Sequence, residues 1–339
     1  MNILITADPE LPVPPRLYGG IERVVDLLAQ GLEARGHRVT LVAHRDSQSA
    51  GQLVPYPGLS SRAAADVLRN TLTVARAVWT TQPDVVHSFG RVAYLAPLLP
   101  WGPPKLMTYQ REVTPRSVQW GHRLSRGTLQ FCAISDWMMQ ETRDMAQWHR
   151  VYNGVPMTTY TFVPVVAADA PLVFLGRVEH IKGTHLAIEL AQRTGRRLII
   201  AGNIPAGHED YFESQVRPHL DDTNIRYIGP VDDTQKNRLL GEAAAFLMPI
   251  LWEEPFGIVM AEALACGTPV LGLRRGAVPE VVDDGVTGFV TDTVDELVAC
   301  IAQLPQLSRL ACRARAEALF SGEAVVDGYL GVYQRILKS

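Results

Sequence analysis

The sequence predicts an α/β protein of two domains, each built on a parallel sheet, and three observations support this. Short β-branched runs such as "NILIT" and "HRVTLVA" alternate with longer helical patterns, which is typical of βαβ units. This alternation of strand and helix patterns ends at 156–171, "PMTTYTFVPVVAADAP", a segment with three prolines and no helical period. It resumes at "PLVFLGR". At 339 residues the chain is also too long for one ordinary core.

These patterns divide the chain into an N-terminal domain over 1–155, a linker over 156–168 and a C-terminal domain over 169–321. The last helical pattern, "EAVVDGYLGVYQRILK" within 322–339, is a candidate to pack back on the first domain. In open parallel sheets, ligands bind beyond the carboxyl ends of the strands. We therefore look for functional residues in the loops that follow strands.

Composition and charge exclude several classes of protein. The formal net charge of −3 provides no overall basic field, so no nucleic-acid partner is expected. The four cysteines are scattered without a C-x-x-C pair, which argues against a zinc site or a disulfide framework. The start "MNILITADPE" has no cationic leader, and no run of about 18 apolar residues occurs. We expect a cytoplasmic protein.

Two strand ends in the N-terminal domain carry candidate site residues. Gly19 and Gly20 in "YGGIERVVDLL" precede a helix, where backbone N–H groups can approach an anion, with a tight turn as the equal alternative. His87 ends the strand pattern in "PDVVHSFG". It is either a contact for donor or acceptor or a satisfied histidine of the core, and the sequence leaves both alternatives open.

A basic loop follows the first strand of the C-terminal domain. In "LGRVEHIKGTHLAIEL", Arg177 and Lys182 stand five apart, and Gly183 opens a helix. Guanidinium and ammonium groups both complement phosphate oxygens, which predicts a diphosphate site. Considered alone, such a loop is more often simply solvated.

Two glutamates follow a later strand of the same domain, in "EEPFGIVMAEALACGTPV". Glu254 precedes a helical pattern over 257–265 and Glu262 lies within it, about 12 Å away along a helix axis. That distance is too long for a shared proton and suits two parts of one hydroxyl-rich ligand. On spacing alone, a buried helix with one capping and one solvated acid is favoured. Together with the diphosphate loop, the acids indicate a nucleotide-linked sugar.

Motifs of other ligand classes are missing from the sequence. No two glycines stand two apart, so the G-x-G-x-x-G of nicotinamide dehydrogenases does not occur. The G-K-[ST] loop of kinases and the G-x-S-x-G elbow of serine hydrolases are also absent. No D-x-D occurs, so the usual ligand pair of a metal-bridged diphosphate is lacking, and neither a metal nor a cofactor is expected.

The set of motifs resembles the retaining glycosyltransferases of family 4. The likeness rests on "YGGIERVV", "VYNGVP", "GRVEHIKG" and "EEPFGIVMAEALACGTPV", which occur in the family's order over nearly the whole chain. It implies the GT-B fold of two facing Rossmann-like domains and a nucleotide-sugar donor, with UDP favoured and GDP next. It also implies metal-independent transfer with retention to a hydroxyl of a small molecule, an oligosaccharide natural product such as an antibiotic, or a lipid-linked acceptor.

The resemblance also implies roles for individual residues. Arg177 and Lys182 would bind the donor diphosphate, Glu254 the transferred sugar and Glu262 the ribose hydroxyls. Further donor contacts would come from Gly19, Gly20, Val231, Phe256, Gly257 and Ile258, with Val231 facing the base. The candidate catalytic residues are Arg177, Lys182, Glu254 and His87. Gln110 stands where many relatives have a histidine that contacts the donor sugar, and an amide cannot act as an acid near neutral pH.

Three alternatives to a transferase remain open. They are a GT-B nucleotide-sugar epimerase, a phosphorylase, and a non-catalytic protein that binds sugar nucleotides in the same cleft. An epimerase or a phosphorylase would show no dependence on an acceptor, and a non-catalytic protein would bind a donor without turnover.

A membrane-surface interpretation rests on two basic stretches. The first surrounds Leu68, Leu72 and Trp79 and the second surrounds Trp120; their arginines are Arg62, Arg69, Arg76, Arg111, Arg116, Arg123 and Arg126. Such surfaces can rest on anionic lipid. A solvated helix face has the same spacing and is favoured by the sequence, and the second stretch equally suits an acceptor pocket.

Overall fold

The computed structural model describes residues 1–15 and 19–338, which form two compact units. Unit 1 consists of Met1–Gly154 together with the chain from Gly322 onwards, and unit 2 is Val155–Ser321. Each unit contains one parallel sheet with helices connecting its strands. The predicted α/β class with two Rossmann-like domains is confirmed.

The elements of unit 1 alternate between strand and helix. The strands are β1 (Asn2–Thr6), β2 (Arg38–Ala43), β3 (Gln52–Pro55), β4 (Val85–Ser88), β5 (Lys105–Tyr109), β6 (Leu129–Ala133) and β7 (Trp148–Arg150). The helices are α1 (Gly20–Ala34), α2 (Ala64–Thr81) and α3 (Pro115–Ser125), with 3₁₀ helices at Val92–Leu98 and Trp137–Met145.

Unit 2 repeats this plan. Its strands are β8 (Leu172–Leu175), β9 (Leu198–Ala201), β10 (Ile225–Tyr227), β11 (Ala245–Met248), β12 (Val270–Leu273) and β13 (Gly288–Thr291). Its α-helices are α4 (Thr184–Thr194), α5 (Glu209–Tyr211), α6 (Asp233–Gly241), α7 (Ile258–Ala265), α8 (Val278–Val281), α9 (Val294–Cys300) and α10 (Arg309–Phe320). Shorter turns of helix are 3₁₀ at His180–Lys182, Arg217–His219 and Ile301–Gln306, and π at Phe212–Val216.

Both sheets have a doubly wound order. The strands run β3-β2-β1-β4-β5-β6-β7 in unit 1 and β10-β9-β8-β11-β12-β13 in unit 2, with neighbours parallel. The order reverses between β1 and β4 and again between β8 and β11. The loops that leave these strands at their carboxyl ends therefore flank a crevice in each unit.

Helices cover both faces of a parallel sheet, so its strands are buried on both sides and their sequences are continuous apolar runs. In β1, Ile3, Leu4 and Ile5 have no exposed surface. Two helices begin at a side-chain cap. Asp232 forms a capping box with the third residue of α6, and Thr293 forms one with the third residue of α9. None of the helices in the described parts of the chain has both the length and the apolar character needed to cross a bilayer.

The segment predicted as a linker, 156–168, belongs to unit 2. Arg309 Nε donates to the Val163 carbonyl at 2.6 Å, and Arg313 Nη1 donates to the Tyr160 carbonyl at 2.8 Å, which ties the segment to α10. Its prolines break the helical and strand periods, but periodicity carries no information about these tertiary contacts. The C-terminal helix α11 (Gly322–Ile336) belongs to unit 1 and packs against α1.

Candidate functional site

The candidate site of unit 2 lies at the carboxyl edge of its sheet, where β8 and β11 are neighbours. The loop after β8 carries Arg177 and Lys182, and the loop after β11 carries Glu254. The loops are joined by a hydrogen bond from Leu251 N to the Ile181 carbonyl at 2.9 Å. The fold therefore brings the basic loop and the first glutamate together across a long stretch of sequence.

Gly183 permits the close packing of these two loops. Its φ is 74°, and a Cβ at this position would lie 1.9 Å from the carbonyl oxygen of Pro249. Any larger residue would push the loops apart. Helix α4 can thus begin directly against the second loop, with Lys182 beside Glu254.

An ion pair joins Lys182 and Glu254, with 2.8 Å between Nζ and Oε2. The two side chains are only 17% and 12% exposed. Lys182 Nζ also lies 4.7 Å from the centroid of the Trp252 ring, a cation–π contact. Partial burial strengthens charge interactions relative to an open surface. Lys182 can therefore bind a phosphate oxygen, and the adjacent Glu254 can accept a hydrogen bond from a hydroxyl group.

Arg177 is anchored by a buried acid that the sequence analysis did not single out. Glu179 is 4% exposed, and its Oε1 lies 2.8 Å from Arg177 Nη2. Its Oε2 lies 3.6 Å from Nε2 of His208. Arg177 itself is exposed, so its guanidinium keeps donors that face solvent. An anchored, exposed guanidinium is well suited to an anionic ligand.

The loop after β12 fixes the backbone of the acidic segment. Ala277 N donates to the Glu254 carbonyl at 2.8 Å, and Gly276 N donates to the Glu253 carboxylate. Gly276 has a φ of 53°, and a Cβ there would lie 2.2 Å from the Glu254 carbonyl oxygen. The position of Glu254 therefore depends on a glycine at residue 276.

The chain turns into α7 between the two glutamates. Gly257, with a φ of 74°, is the N-cap, and Ile258 is the first helical residue. Phe256 is 1% exposed, and its ring packs edge-on against Phe320 with 5.5 Å between centroids. Only its backbone can face a ligand. The N-terminus of α7 thus lies next to Glu254, where backbone N–H groups suit an anion.

Glu262 is buried in α7 and is held by hydrogen bonds at one oxygen only. Its Oε1 accepts from Tyr160 Oη at 2.5 Å and from Lys236 Nζ at 2.6 Å. Its Oε2 is buried and has no hydrogen-bond partner among the described residues. Burial and the adjacent Glu262 carboxylate raise the pKa of Tyr160, so this hydroxyl remains a donor. The site thus contains an unpaired carboxylate oxygen, which is a strong acceptor for hydroxyl groups.

Val231 lines a shallow pocket of about 270 Å³ beside α6. The other residues of its wall are Ile228, Pro230, Gln235, Arg238, Leu239 and Glu242. The residue that was predicted to face a base therefore lies on a partly apolar wall.

In unit 1, Gly19 and Gly20 lie at the N-terminus of α1. A Cβ on Gly19, whose φ is 154°, would lie 2.8 Å from Glu22 Oε2. Glu22 and Asp8 were both missed by the sequence analysis. Burial raises the pKa of both carboxyls, and that of Asp8 reaches about 6 with a contribution from Glu10. The two acids oppose the binding of an anion at this helix N-terminus, whereas Arg111 faces both of them.

Asp8→Asn should stabilise unit 1 at alkaline pH. The raised pKa means that the folded state binds the proton more tightly, so this stability is present below about pH 4 and is lost as pH rises through about 6. We expect the variant to gain about 1–2 kcal/mol at pH 8 and little near pH 4. Thermal unfolding midpoints of both proteins across this pH range measure the gain. A gain that is independent of pH would contradict the burial of a charged Asp8.

His87 lies in the core of unit 1, which corresponds to the core histidine that the sequence left open as one of two alternatives. The side chain has no exposed surface. Its Nδ1 lies 2.6 Å from Tyr333 Oη, and its Nε2 lies 2.7 Å from Thr108 Oγ1. Burial lowers its pKa to about 3, so the ring is neutral. A strand-end position alone does not reveal that α11 covers this side chain.

Gln110 forms a reciprocal amide pair with Asn153. Gln110 Nε2 donates to Asn153 Oδ1 and Asn153 Nδ2 donates to Gln110 Oε1, both at 2.8 Å. Asn153 is 3% exposed. The pair connects the end of β5 to the "NGV" motif, so Gln110 has a structural role that the sequence did not indicate.

Some residues of the site could have been found from the sequence and others could not. Asp8 lies two residues after β1, and Glu179 lies inside the basic loop, so the strand-end rule covers both. No local signal marks Tyr160 or Lys236, because their contact with Glu262 depends on tertiary packing. Across residues 1–15 and 19–338, no group of three or more His, Cys, Asp or Glu side chains could hold a metal ion.

Two family models match the chain in succession. "Glycosyltransferase Family 4" matches residues 18–159, and "Glycosyl transferases group 1" matches residues 166–318. Among curated proteins, a glycogen synthase of Mycobacterium tuberculosis is 28% identical, over 81% of this chain and 79% of its own length. Spore coat protein SA of Bacillus subtilis is 22% identical, over 99% of this chain and all of its own length.

Solved structures resemble this chain over its whole length. AviGT4, a glycosyltransferase involved in avilamycin A biosynthesis, superposes with a TM-score of 0.74 and 27% identity, over 100% of this chain and 98% of its own. A glycosyltransferase from Rickettsia africae superposes with a TM-score of 0.78 at 16% identity, over 100% and 99% of the two chains, which is a likeness in fold.

Proposed function

Because this chain belongs to the family-4 glycosyltransferases of the GT-B fold, we propose that it transfers a sugar with retention from a nucleoside diphosphate donor. UDP is the first candidate nucleotide and GDP the second. The acceptor is a hydroxyl of a small-molecule or oligosaccharide natural product, a class suggested by the likeness to AviGT4. The observation that carries the proposal is the Lys182–Glu254 pair at the crevice of the unit 2 sheet.

The proposed chemistry needs charge stabilisation on the leaving group. Lys182, Arg177 and the N-terminus of α7 neutralise the diphosphate as the bond from the anomeric carbon to phosphate breaks. The acceptor oxygen then attacks from the same face, and its proton passes to the leaving phosphate oxygen. Glu254 accepts hydrogen bonds from the sugar. Trapping of a covalent glycosyl-enzyme would contradict this order of events.

Calorimetric titration with UDP, GDP and ADP tests the donor assignment. Each nucleotide is titrated first with EDTA and then with added magnesium. We expect one diphosphate to bind at micromolar strength with the same affinity in both conditions. Binding that requires magnesium would overturn the metal-independent site, and no binding would overturn the donor site itself.

Incubation with the corresponding sugar nucleotide then separates the transferase from its alternatives. Transfer to an acceptor panel supports the proposal. A change in the sugar without an acceptor would identify an epimerase, and transfer to phosphate would identify a phosphorylase. Binding without any turnover would identify a non-catalytic protein.

Gly276→Ala should lower turnover by about tenfold or more, because its Cβ would displace Glu254. Gly285→Ala is the matched control, since Gly285 has a φ of 75° but a Cβ added there would meet no atom of the described residues within 4 Å. Backbone strain is therefore similar, and only the contact with Glu254 differs. The readout is nucleoside diphosphate release from the donor. Equal losses in the two variants would show that strain, rather than Glu254 displacement, is responsible.

A further inference from the structure

Unit 1 has a layer of helices on one face of its sheet. The layer consists of α2, the 3₁₀ helix Val92–Leu98 and α3. These three elements connect successive strands that step in one direction across the sheet, and right-handed crossovers then place them on one face. Their inner sides share one hydrophobic cluster, to which they contribute Val74, Tyr94 and Val118.

The outer side of this layer exposes large apolar side chains. Trp79 on α2 is 79% exposed and Trp120 on α3 is 61% exposed. Trp101, which is 68% exposed, lies three residues after the 3₁₀ helix, and its Nε1 donates to the Pro97 carbonyl of that helix at 3.1 Å. Leu68 and Leu72 on α2 and Leu124 on α3 are also exposed. Such residues normally occur singly on a protein surface, and a cluster marks an interaction site.

The exposed residues form stripes on the two helices. At 3.6 residues per turn, Leu68, Leu72 and Trp79 fall within an arc of about 40° on α2, and Trp120 and Leu124 fall within a similar arc on α3. Arginines flank both stripes. The exposed arginines on or directly beside these helices are Arg62, Arg69, Arg76, Arg116, Arg123 and Arg126.

The charge of this layer differs from that of the chain as a whole. Residues 59–128 hold eight arginines and three acidic residues, whereas the whole chain has a net charge of −3. Of the six flanking arginines, only Arg69 lies within ion-pair distance of an acid in the described structure, 3.7 Å from Asp66. The layer therefore complements a negatively charged partner.

We propose that the outer side of this layer binds the surface of a bilayer that contains anionic phospholipids. Tryptophan and leucine side chains enter the boundary between headgroups and acyl chains, and the flanking guanidinium groups contact phosphates. A polyanion such as nucleic acid would use the arginines but would leave the leucine stripe in water. This inference does not depend on the proposed transferase activity.

Sedimentation of the full-length protein with lipid vesicles tests the proposal. We expect binding to vesicles of equal phosphatidylcholine and phosphatidylglycerol, and weak binding to phosphatidylcholine alone. The triple variant Arg69→Gln/Arg76→Gln/Arg123→Gln should bind the mixed vesicles about a hundredfold more weakly, because each basic residue near an anionic surface contributes about fivefold. Trp79→Ala/Trp101→Ala/Trp120→Ala should bind at least tenfold more weakly.

Arg197→Gln/Arg217→Gln/Arg226→Gln is the matched control, since it removes three exposed arginines from unit 2. We expect its binding to change much less than that of the unit 1 variants. Unchanged thermal midpoints establish that the variants are folded. Absence of binding to mixed vesicles, or equal losses in the unit 1 variants and the control, would overturn the proposal. So would a dimer in sedimentation velocity that the tryptophan variant abolishes, because the layer would then be an interface between copies.

Discussion

Glu254→Gln should lower turnover by about a hundredfold to a thousandfold, which is the range for loss of one preorganised electrostatic contact. The amide keeps the shape of the side chain but removes the charge that lies 2.8 Å from Lys182. A sugar hydroxyl then loses a charged acceptor, while Lys182 is released from its partner. Affinity for the nucleoside diphosphate should therefore stay constant or increase. Diphosphate release and calorimetric titration measure the two quantities.

Two variants give this prediction its controls. Lys182→Met should have the opposite signature, with diphosphate binding weakened by tenfold or more, since a charged hydrogen bond to phosphate is lost. Glu189→Gln changes an exposed acid of α4 that pairs with Arg193, so it should leave both quantities unchanged. If Glu254→Gln weakens diphosphate binding as much as Lys182→Met does, the assignment of Glu254 to the sugar is wrong.

Glu262→Gln should weaken donor and diphosphate binding by about tenfold to a hundredfold with little change in turnover. The family resemblance predicts that Glu262 binds the ribose hydroxyls, and its Oε2 has no hydrogen-bond partner among the described residues. Hydrogen bonds to charged groups contribute about 1.5–3 kcal/mol. These contacts are the same in the ground state and the transition state, so the loss appears in binding. Calorimetric titration of wild type and variant with the same nucleotide measures it.

A nucleotide that lacks both ribose hydroxyls provides the control for this prediction. The 2′,3′-dideoxy diphosphate should bind wild type and Glu262→Gln with equal affinity, because the lost contact is already missing. Lys236→Met should also weaken binding of the ordinary nucleotide, since it removes the cation that lies 2.6 Å from Glu262 Oε1. A loss that persists with the dideoxy nucleotide would show that Glu262 acts on the fold and not on the ribose.

The grouping of the basic loop and the first glutamate at one edge of the unit 2 sheet was predictable from the sequence. Arg177, Lys182 and Glu254 were identified because loops after strands of a parallel sheet meet at one edge. The same rule could not decide between the two alternatives for His87, since it predicts the end of a strand but not which side chains cover that residue. It could not identify Tyr160 or Lys236, which reach Glu262 from a proline-rich segment and from α6.

Local patterns in the chain were sufficient to predict the architecture and the residue types of the site. Periodicity and strand-end position are local properties, and they predict two wound α/β units with cations and acids at the edge of the second sheet. Which groups are paired depends on the tertiary structure. Among the described residues it leaves one oxygen of Glu262 without a partner, it encloses His87 between two hydroxyls, and it exposes Trp79 and Trp120 on helices of one layer. Pairing and burial depend on contacts between residues far apart in the chain, and no local pattern encodes such contacts.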